Sequence, residues 1–277
     1  MSNQEIVFGR QPVAEMLRAG RREVKSILMA NNIRQASAAV VELVKLVERK
    51  GLTVRSVYKF ELDRLCASGH HQGVAAEVSE YPYVDPPELL VVPEGRRMPP
   101  LLLLVDHVQD PQNLGSILRS CEAAGVDGVV IPVHRAVDVT AAVVRASAGA
   151  AEHVRVARVT SLHQAMLRMK EAGIWMVGLE ETTGAVPYTA ARFEGPVALV
   201  VGGEDEGLSK LVRETCDEVI RLPMRGRVGS LNAAVAAAIA MYEVRRRQEA
   251  ALKTVTTRPR TGVPTERVNQ DSSAGDS

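Results

Sequence analysis

Aromatic side chains make up only 3% of this 277-residue chain, with one Trp, three Phe and five Tyr. So small a supply argues against a polymer or ligand held by many stacked rings. Cysteine is scarcer still. Cys66, Cys121 and Cys216 lie far apart and form no Cys-x-x-Cys pair, which leaves neither a disulfide framework nor a cysteine-built zinc site. No metal is expected, and a reducing, cytoplasmic setting fits. Charge of one sign is missing too: 34 Lys and Arg balance 33 Asp and Glu for a net +1, so any surface for a polyanion must be local. No apolar run approaches the ~18 residues of a membrane span, and residues 1–5 carry no basic stretch ahead of an apolar core. A soluble, intracellular protein without a membrane partner is expected.

What is present is a normal globular balance, 46% apolar and 24% charged, at a length that suits one large or two ordinary domains. Residues 5–80 alternate short β-rich runs with helical patterns: strands at 6–8, 24–29, 53–57 and 74–78, helices at 11–18 and 36–50. This first unit, 1–80, holds 12 basic residues against nine acidic ones. Residues 81–100 contain six prolines, which discourage both helix and central strand and mark a linker. Beyond it, apolar strands at 101–105, 129–131, 154–156, 174–177, 197–201 and 218–222 alternate with helices, including 114–124, 137–147 and an Ala-rich one at 233–247. That alternation predicts an α/β fold with a mostly parallel sheet covered on both faces. The second domain is expected to end near 248. The remainder, 249–277, lacks periodic apolar positions and is expected to be disordered.

Ligands of open parallel sheets bind past the carboxyl ends of the strands, which directs attention to three loops. The first is Asp110-Pro111-Gln112-Asn113-Leu114-Gly115-Ser116-Ile117-Leu118-Arg119, where Asn113 suits a helix start and Arg119 follows a turn and a half later. The second is Gly202-Gly203-Glu204-Asp205-Glu206-Gly207-Leu208-Ser209. Its glycines let backbone approach a ligand, but its consecutive acids would repel a phosphate, so it is no P-loop, and Gly-x-Gly-x-x-Gly is absent. The third is Leu222-Pro223-Met224-Arg225-Gly226 followed by Ser230-Leu231-Asn232, in which Ser230 or Asn232 can cap the helix that follows. Taken singly, each loop also reads as ordinary structure: a capped helix with a paired arginine, a solvated acidic helix start, a strand-turn-helix corner.

As an ordered trio, the three loops resemble the SpoU/TrmH branch of the SPOUT RNA methyltransferases. The resemblance reaches forward to Val7-Phe8-Gly9-Arg10 and His71-Gln72-Gly73-Val74-Ala75-Ala76, which look like the ends of that family's ribosomal-protein-like RNA-binding domain, so residues 4–248 are covered. The departure is Ala233-Ala234, where many relatives have Val-Ser.

The resemblance implies methyl transfer from S-adenosylmethionine to a ribose 2′-hydroxyl in a domain with a trefoil knot. The subgroup most resembled acts on a guanosine of large-subunit ribosomal RNA. Transfer RNA, a ribosomal site conferring antibiotic resistance, and RNA binding without catalysis stand as alternatives. By the same resemblance Asn113, Arg119, Glu204, Ser230 and Asn232 would form the catalytic set, and Gly202, Gly203, Leu222, Met224 and Leu231 would hold the cofactor. The family works as a homodimer. Guanidinium is almost never deprotonated, so Arg119 reads better as a stabiliser of the forming alkoxide than as a base. Candidate phosphate contacts are Arg10, Arg18, Arg21, Arg22 and Lys25 in the first unit, and Arg225 and Arg227 beside the third loop.

Overall fold

The computed structural model describes residues 4–256 apart from positions 32, 34–36, 92–93 and 204–206. The first unit comprises β1 (Glu5–Phe8), α1 (Arg10–Ala19), β2 (Val24–Ala30), α2 (Ala38–Arg49), β3 (Val54–Val57), α3 (Lys59–Leu65) and β4 (Val74–Val78). Its strands form one sheet in the order β1-β4-β2-β3, antiparallel except for β2 with β3. The expected strands and two helices are present, and α3 is an addition that the sequence reading passed over. Each helix presents an apolar stripe: Val13, Met16 and Leu17 on α1, and Val40, Leu43 and Val47 on α2, are buried against the sheet.

The second unit comprises β5 (Leu101–Asp106), α4 (Pro111–Ala123), β6 (Gly128–Pro132), α5 (Ala141–Ala146), β7 (Val156–Val159), α6 (Leu162–Glu171), β8 (Trp175–Leu179), β9 (Val186–Pro187), β10 (Val197–Gly202), α7 (Lys210–Thr215), β11 (Glu218–Arg221) and α8 (Ala233–Thr256). Seven strands form a wholly parallel sheet in the order β7-β6-β5-β10-β8-β11-β9. The fold is therefore the α/β arrangement read from the alternating strands and helices. β5, read as a continuous apolar run, is buried along its whole length, as a strand covered on both faces must be. The chain winds outward from β5 through β6 and β7, then returns to the other side, so the direction reverses between β5 and β10. A crevice opens at the carboxyl ends of strands where such a reversal occurs.

Four expectations shift. α5 starts at Ala141 rather than 137, because Thr140 takes the N-cap position and the Val137 N–H is bonded to the Val108 carbonyl. β7 runs later than 154–156. The Pro-rich 81–100 segment is packed rather than free. Tyr81 and Leu89 are buried, the Val84 N–H bonds the Val156 carbonyl, and Pro86–Leu90 makes a 3-10 turn. Finally, α8 continues to Thr256, past the Arg245, Arg246 and Arg247 that the sequence suggested as its end. Ala250, Ala251, Leu252 and Lys253 are good helix formers and no proline intervenes. Arg245 is buried in the helix body, donating to the Ala124 and Pro99 carbonyls, each at 3.0 Å, and pairing with Asp127. Of the tail, residues 257–277 lie outside the described residues.

The two units meet along a charged seam. The Arg22 guanidinium, buried, grips Glu152 through Nε at 3.0 Å and a second contact at 2.9 Å, and reaches Glu5 at 2.6 Å. Arg21 donates to the carbonyls of Val154 at 2.8 Å, Pro82 at 2.9 Å and Glu152 at 3.2 Å. The Tyr81 hydroxyl donates to the Ala151 carbonyl at 2.8 Å. His153 of the second unit meets Glu15 of α1 at 2.9 Å.

Candidate cofactor cleft and catalytic mouth

The carboxyl ends of β8, β10 and β11, the loop 222–232 and the first turn of α8 surround an open cleft of about 160 Å³. Gly202, Gly203, Leu222, Met224 and Leu231, the five residues expected around a cofactor, all line it, and Ser230 lines it with them. Gly202 is required there by space: a Cβ on it would lie 2.2 Å from the Gly207 backbone. The chain leaving β10 thus folds back on itself too tightly for any side chain, and backbone forms the wall.

Two carboxylates that the sequence reading passed over hold this fold-back. Glu180, at the carboxyl end of β8, lines the cleft, and its Oε1 accepts from the Leu208 N–H at 3.1 Å. Arg213 on α7 grips the same carboxylate in a bidentate pair. Asp106, at the end of β5 and 3% exposed, accepts from the next amide, Ser209 N–H, at 2.9 Å, while its other oxygen lies 2.8 Å from His107 Nδ1. The signal that could have found both is position: each is the acid at the carboxyl end of an apolar strand.

The first and third loops are joined directly. Asn232 Nδ2 donates to Asn113 Oδ1 at 2.8 Å, while Asn232 Oδ1 accepts from the Ala234 and Val235 N–H groups and so caps α8. One Asn amide therefore starts the helix and fixes the orientation of the other. The cap of α4 is a correction. Asp110, not Asn113, performs it, accepting from the Gln112 and Asn113 N–H groups at 3.2 and 3.1 Å, because Pro111 occupies the first helical position. Asn113 is thereby released to face Asn232.

Arg119 is not drawn into this pair. The six steps from Asn113 to Arg119 turn the helix by roughly 600°, about 120° off the same face. It is exposed and makes no hydrogen bond or ion pair with the described residues. Glu204 lies outside the described residues. Among the described residues no group of three or more His, Cys, Asp or Glu could hold a metal ion. Nor is any of the three thiols disposed to act as a nucleophile: burial pushes Cys66 up to about 11 and Cys216 up to about 12, and raises Cys121 as well. No helix among the described residues is long and apolar enough to cross a membrane.

The expected RNA contacts divide. Arg21 and Arg22 belong to the seam: the Arg21 guanidinium donates to carbonyls, and the buried Arg22 guanidinium pairs with Glu152 and Glu5. Arg18 is spanned by Glu15 and Glu42. Arg10 donates to the Gln72 carbonyl and the Ser37 hydroxyl at the surface. Lys25 is exposed on β2, and Arg225 and Arg227 are exposed in the loop below the cleft.

Residues 100–242 match the SpoU rRNA Methylase family, and residues 6–84 match a module described as RNA 2′-O ribose methyltransferase substrate binding. The chain is 42% identical over 251 residues to the Bacillus subtilis protein YacO, assigned to the TrmH family tRNA/rRNA methyltransferases, covering 90% of this chain and 98% of that one. An uncharacterised tRNA/rRNA methyltransferase of Mycolicibacterium vanbaalenii is likewise 42% identical, over 89% of this chain and 78% of its own. Among solved structures, the SpoU methyltransferase AviRb from Streptomyces viridochromogenes in complex with AdoMet superposes with a TM-score of 0.72 at 28% identity. That match covers 89% of this chain and 91% of AviRb.

Proposed function

The chain belongs to the SpoU methylase family of S-adenosylmethionine-dependent RNA methyltransferases, and from that premise we propose that it methylates the 2′-hydroxyl of one guanosine ribose in large-subunit ribosomal RNA. The observation that carries the reading is the Asn232–Asn113 bond, which joins the helix start beside the cofactor cleft to the loop after β5. Bound S-adenosylmethionine supplies an electrophilic methyl group. Gly202, Gly203, Leu222, Met224 and Leu231 would hold it, chiefly through backbone.

Methyl transfer to a hydroxyl asks the protein for in-line placement and for help with a very weak acid. Asn113, its amide fixed by Asn232, orients the ribose. Arg119 keeps its proton and stabilises the forming alkoxide and the adjacent phosphate. Ser230 closes the pocket from the third loop, and Glu204 belongs to the same proposed set. Arg10, Lys25, Arg225 and Arg227 are the proposed phosphate contacts.

A second copy of the chain completes the arrangement. α8 leaves Val235, Ile239 and Tyr242 exposed at 49, 39 and 54%, a stripe at helical spacing, and α8 packs on α4, which carries Arg119. A homodimer across this pair of helices would cover the stripe and bring Arg119 to a partner's site. The same reading threads α8 through the chain ahead of it as a trefoil knot, for which the buried Ala234, Ala237 and Ala240 leave room. Ribosomal RNA as substrate places the work in the cytoplasm.

The test is incubation with radiolabelled S-adenosylmethionine and unmodified ribosomal RNA, with the product mapped by resistance of one ribose linkage to alkaline cleavage. Incorporation at a single guanosine supports the proposal. Incorporation into transfer RNA alone moves the target, and absence of cofactor binding refutes the reading.

A further inference from the structure

A second cleft, of about 440 Å³, opens between the two units, away from the cleft read as the cofactor's. One side is the first unit's start of α1 and the turn at 69–72. The other is the end of α5, with Arg145 and Ala148. Its polar lining is Gln11, His70, Gln72 and Arg145, hydrogen-bonding groups with no carboxylate among them. Two carboxylates border the region and both are occupied. Asp63 takes a hydrogen bond from His71 Nε2 at 2.9 Å, since His71 Nδ1 accepts from the Gly73 N–H. Glu15 is spanned by Arg18, Gln11 and His153. Arg145 is half-buried and makes no side-chain hydrogen bond or ion pair with the described residues, in a protein where most arginines are paired.

The cleft is also where backbone strain collects. Gln72 has φ 54° and Ala148 φ 53°, one on each wall, and neither is glycine. Such conformations cost of order 1–3 kcal/mol each and persist where the surroundings over-determine them, as at ligand clamps. Part of the reason is visible at Gln72, whose Oε1 accepts the first N–H of α1 while Arg10 Nε donates to its carbonyl. That bracing fixes the turn.

The cleft is tied to the catalytic mouth. A Cβ on Gly115 would stand 2.4 Å from the Ala146 Cβ, so α4 and α5 touch backbone to side chain two residues beyond Asn113 and one beyond Arg145.

We infer that this cleft is a binding site for the sugar-phosphate backbone of RNA, with Arg145 as its principal phosphate contact and His70 and Gln72 facing it across the seam. The inference rests on the RNA methyltransferase reading and adds a subsite to it. Anionic, acceptor-rich phosphodiester matches a lining of donors without acids, and a lone His as the only ring excludes base stacking as the main mode.

The experiment titrates the full chain and its Arg145→Ala, Arg145→Glu and Arg145→Lys variants with an in vitro transcript of unmodified large-subunit ribosomal RNA across a range of salt. Expected is a loss of about three- to tenfold in affinity for Arg145→Ala, more for Arg145→Glu, and a log–log salt slope shallower by about 0.7–0.9. Arg145→Lys keeps the slope, and melting temperature and S-adenosylmethionine affinity stay unchanged in Arg145→Ala. Unchanged affinity and slope in both the Ala and Glu variants overturn the cleft. Because the readout is binding, a wild type that binds with the expected slope but transfers no methyl group would overturn the 2′-O-methylation reading alone.

Discussion

The seam between the two units and the mouth at the carboxyl ends of the large sheet use charge in opposite ways. At the seam, charge is structural: the Arg22 and Glu152 side chains are both fully desolvated and paired with each other, and Arg22 also meets Glu5, the Ser79 carbonyl and the face of Tyr81. At the mouth, charge is kept available. Asn113 is held by another amide, Arg119 is exposed, and the wall proposed for the cofactor includes backbone that Gly202 lets close up. The lesson is that five basic residues of one short stretch cannot be assigned one role by composition. Arg21 and Arg22 lock the units together, whereas Arg10 stays at the surface.

The sharpest way to test the contrast is to remove a side chain from each region and ask which property fails. At the mouth, Arg119→Ala and Asn113→Ala are each expected to lower turnover by about 10²–10³ or more, the scale of losing a preorganised transition-state contact, with melting temperature unchanged. Methyl incorporation under saturating substrates measures it, and full activity in both variants would break the assignment. At the seam, Arg22→Ala leaves Glu152 buried without its cation and should cost about 3–5 kcal/mol in urea unfolding, while Arg22→Met with Glu152→Leu should recover most of it. A cost below about 1 kcal/mol for Arg22→Ala would mean that the pair is solvated and the two units are loosely held.

The same contrast decides what could be read beforehand. The mouth was legible because its chemistry demands residue types at fixed places: Pro111 and Asn113 at a helix start, paired glycines after β10, and Asn232 ahead of a thin helix. The alternation of apolar strands and helices likewise foretold the parallel sheet. The seam was not legible, because Arg22 and Glu152 are 130 residues apart and each alone resembles a solvated surface charge. Its only local sign was Tyr81, an apolar ring among the prolines, which turns out to be buried there. The end of α8 misled for a related reason. Three arginines in a row look like a helix terminus favoured by the dipole, but Arg245 is spent on carbonyls in the body of the fold.

A smaller effect separates the two regions within the mouth itself, where Glu180, like Asp106, is a carboxylate that acts like a seam residue. It does not need to touch a reacting atom to matter: by accepting the Leu208 N–H and gripping Arg213 it sets where Gly207 and Leu208 lie against Gly202, in the wall proposed to hold the cofactor. Losing a charged acceptor from a backbone amide costs about 1.5–3 kcal/mol, part of it absorbed by relaxation of the loop. Glu180→Ala should therefore weaken S-adenosylmethionine binding about tenfold, or ~1.4 kcal/mol, and raise its KM with little change in kcat. Glu180→Gln, which keeps an acceptor for Leu208 but loses the pair with Arg213, should fall between the variant and the wild type. Equal losses in kcat and kcat/KM at constant KM would place Glu180 in the transition state instead, and the distinction between a wall that is held and a group that reacts would have to be redrawn around it.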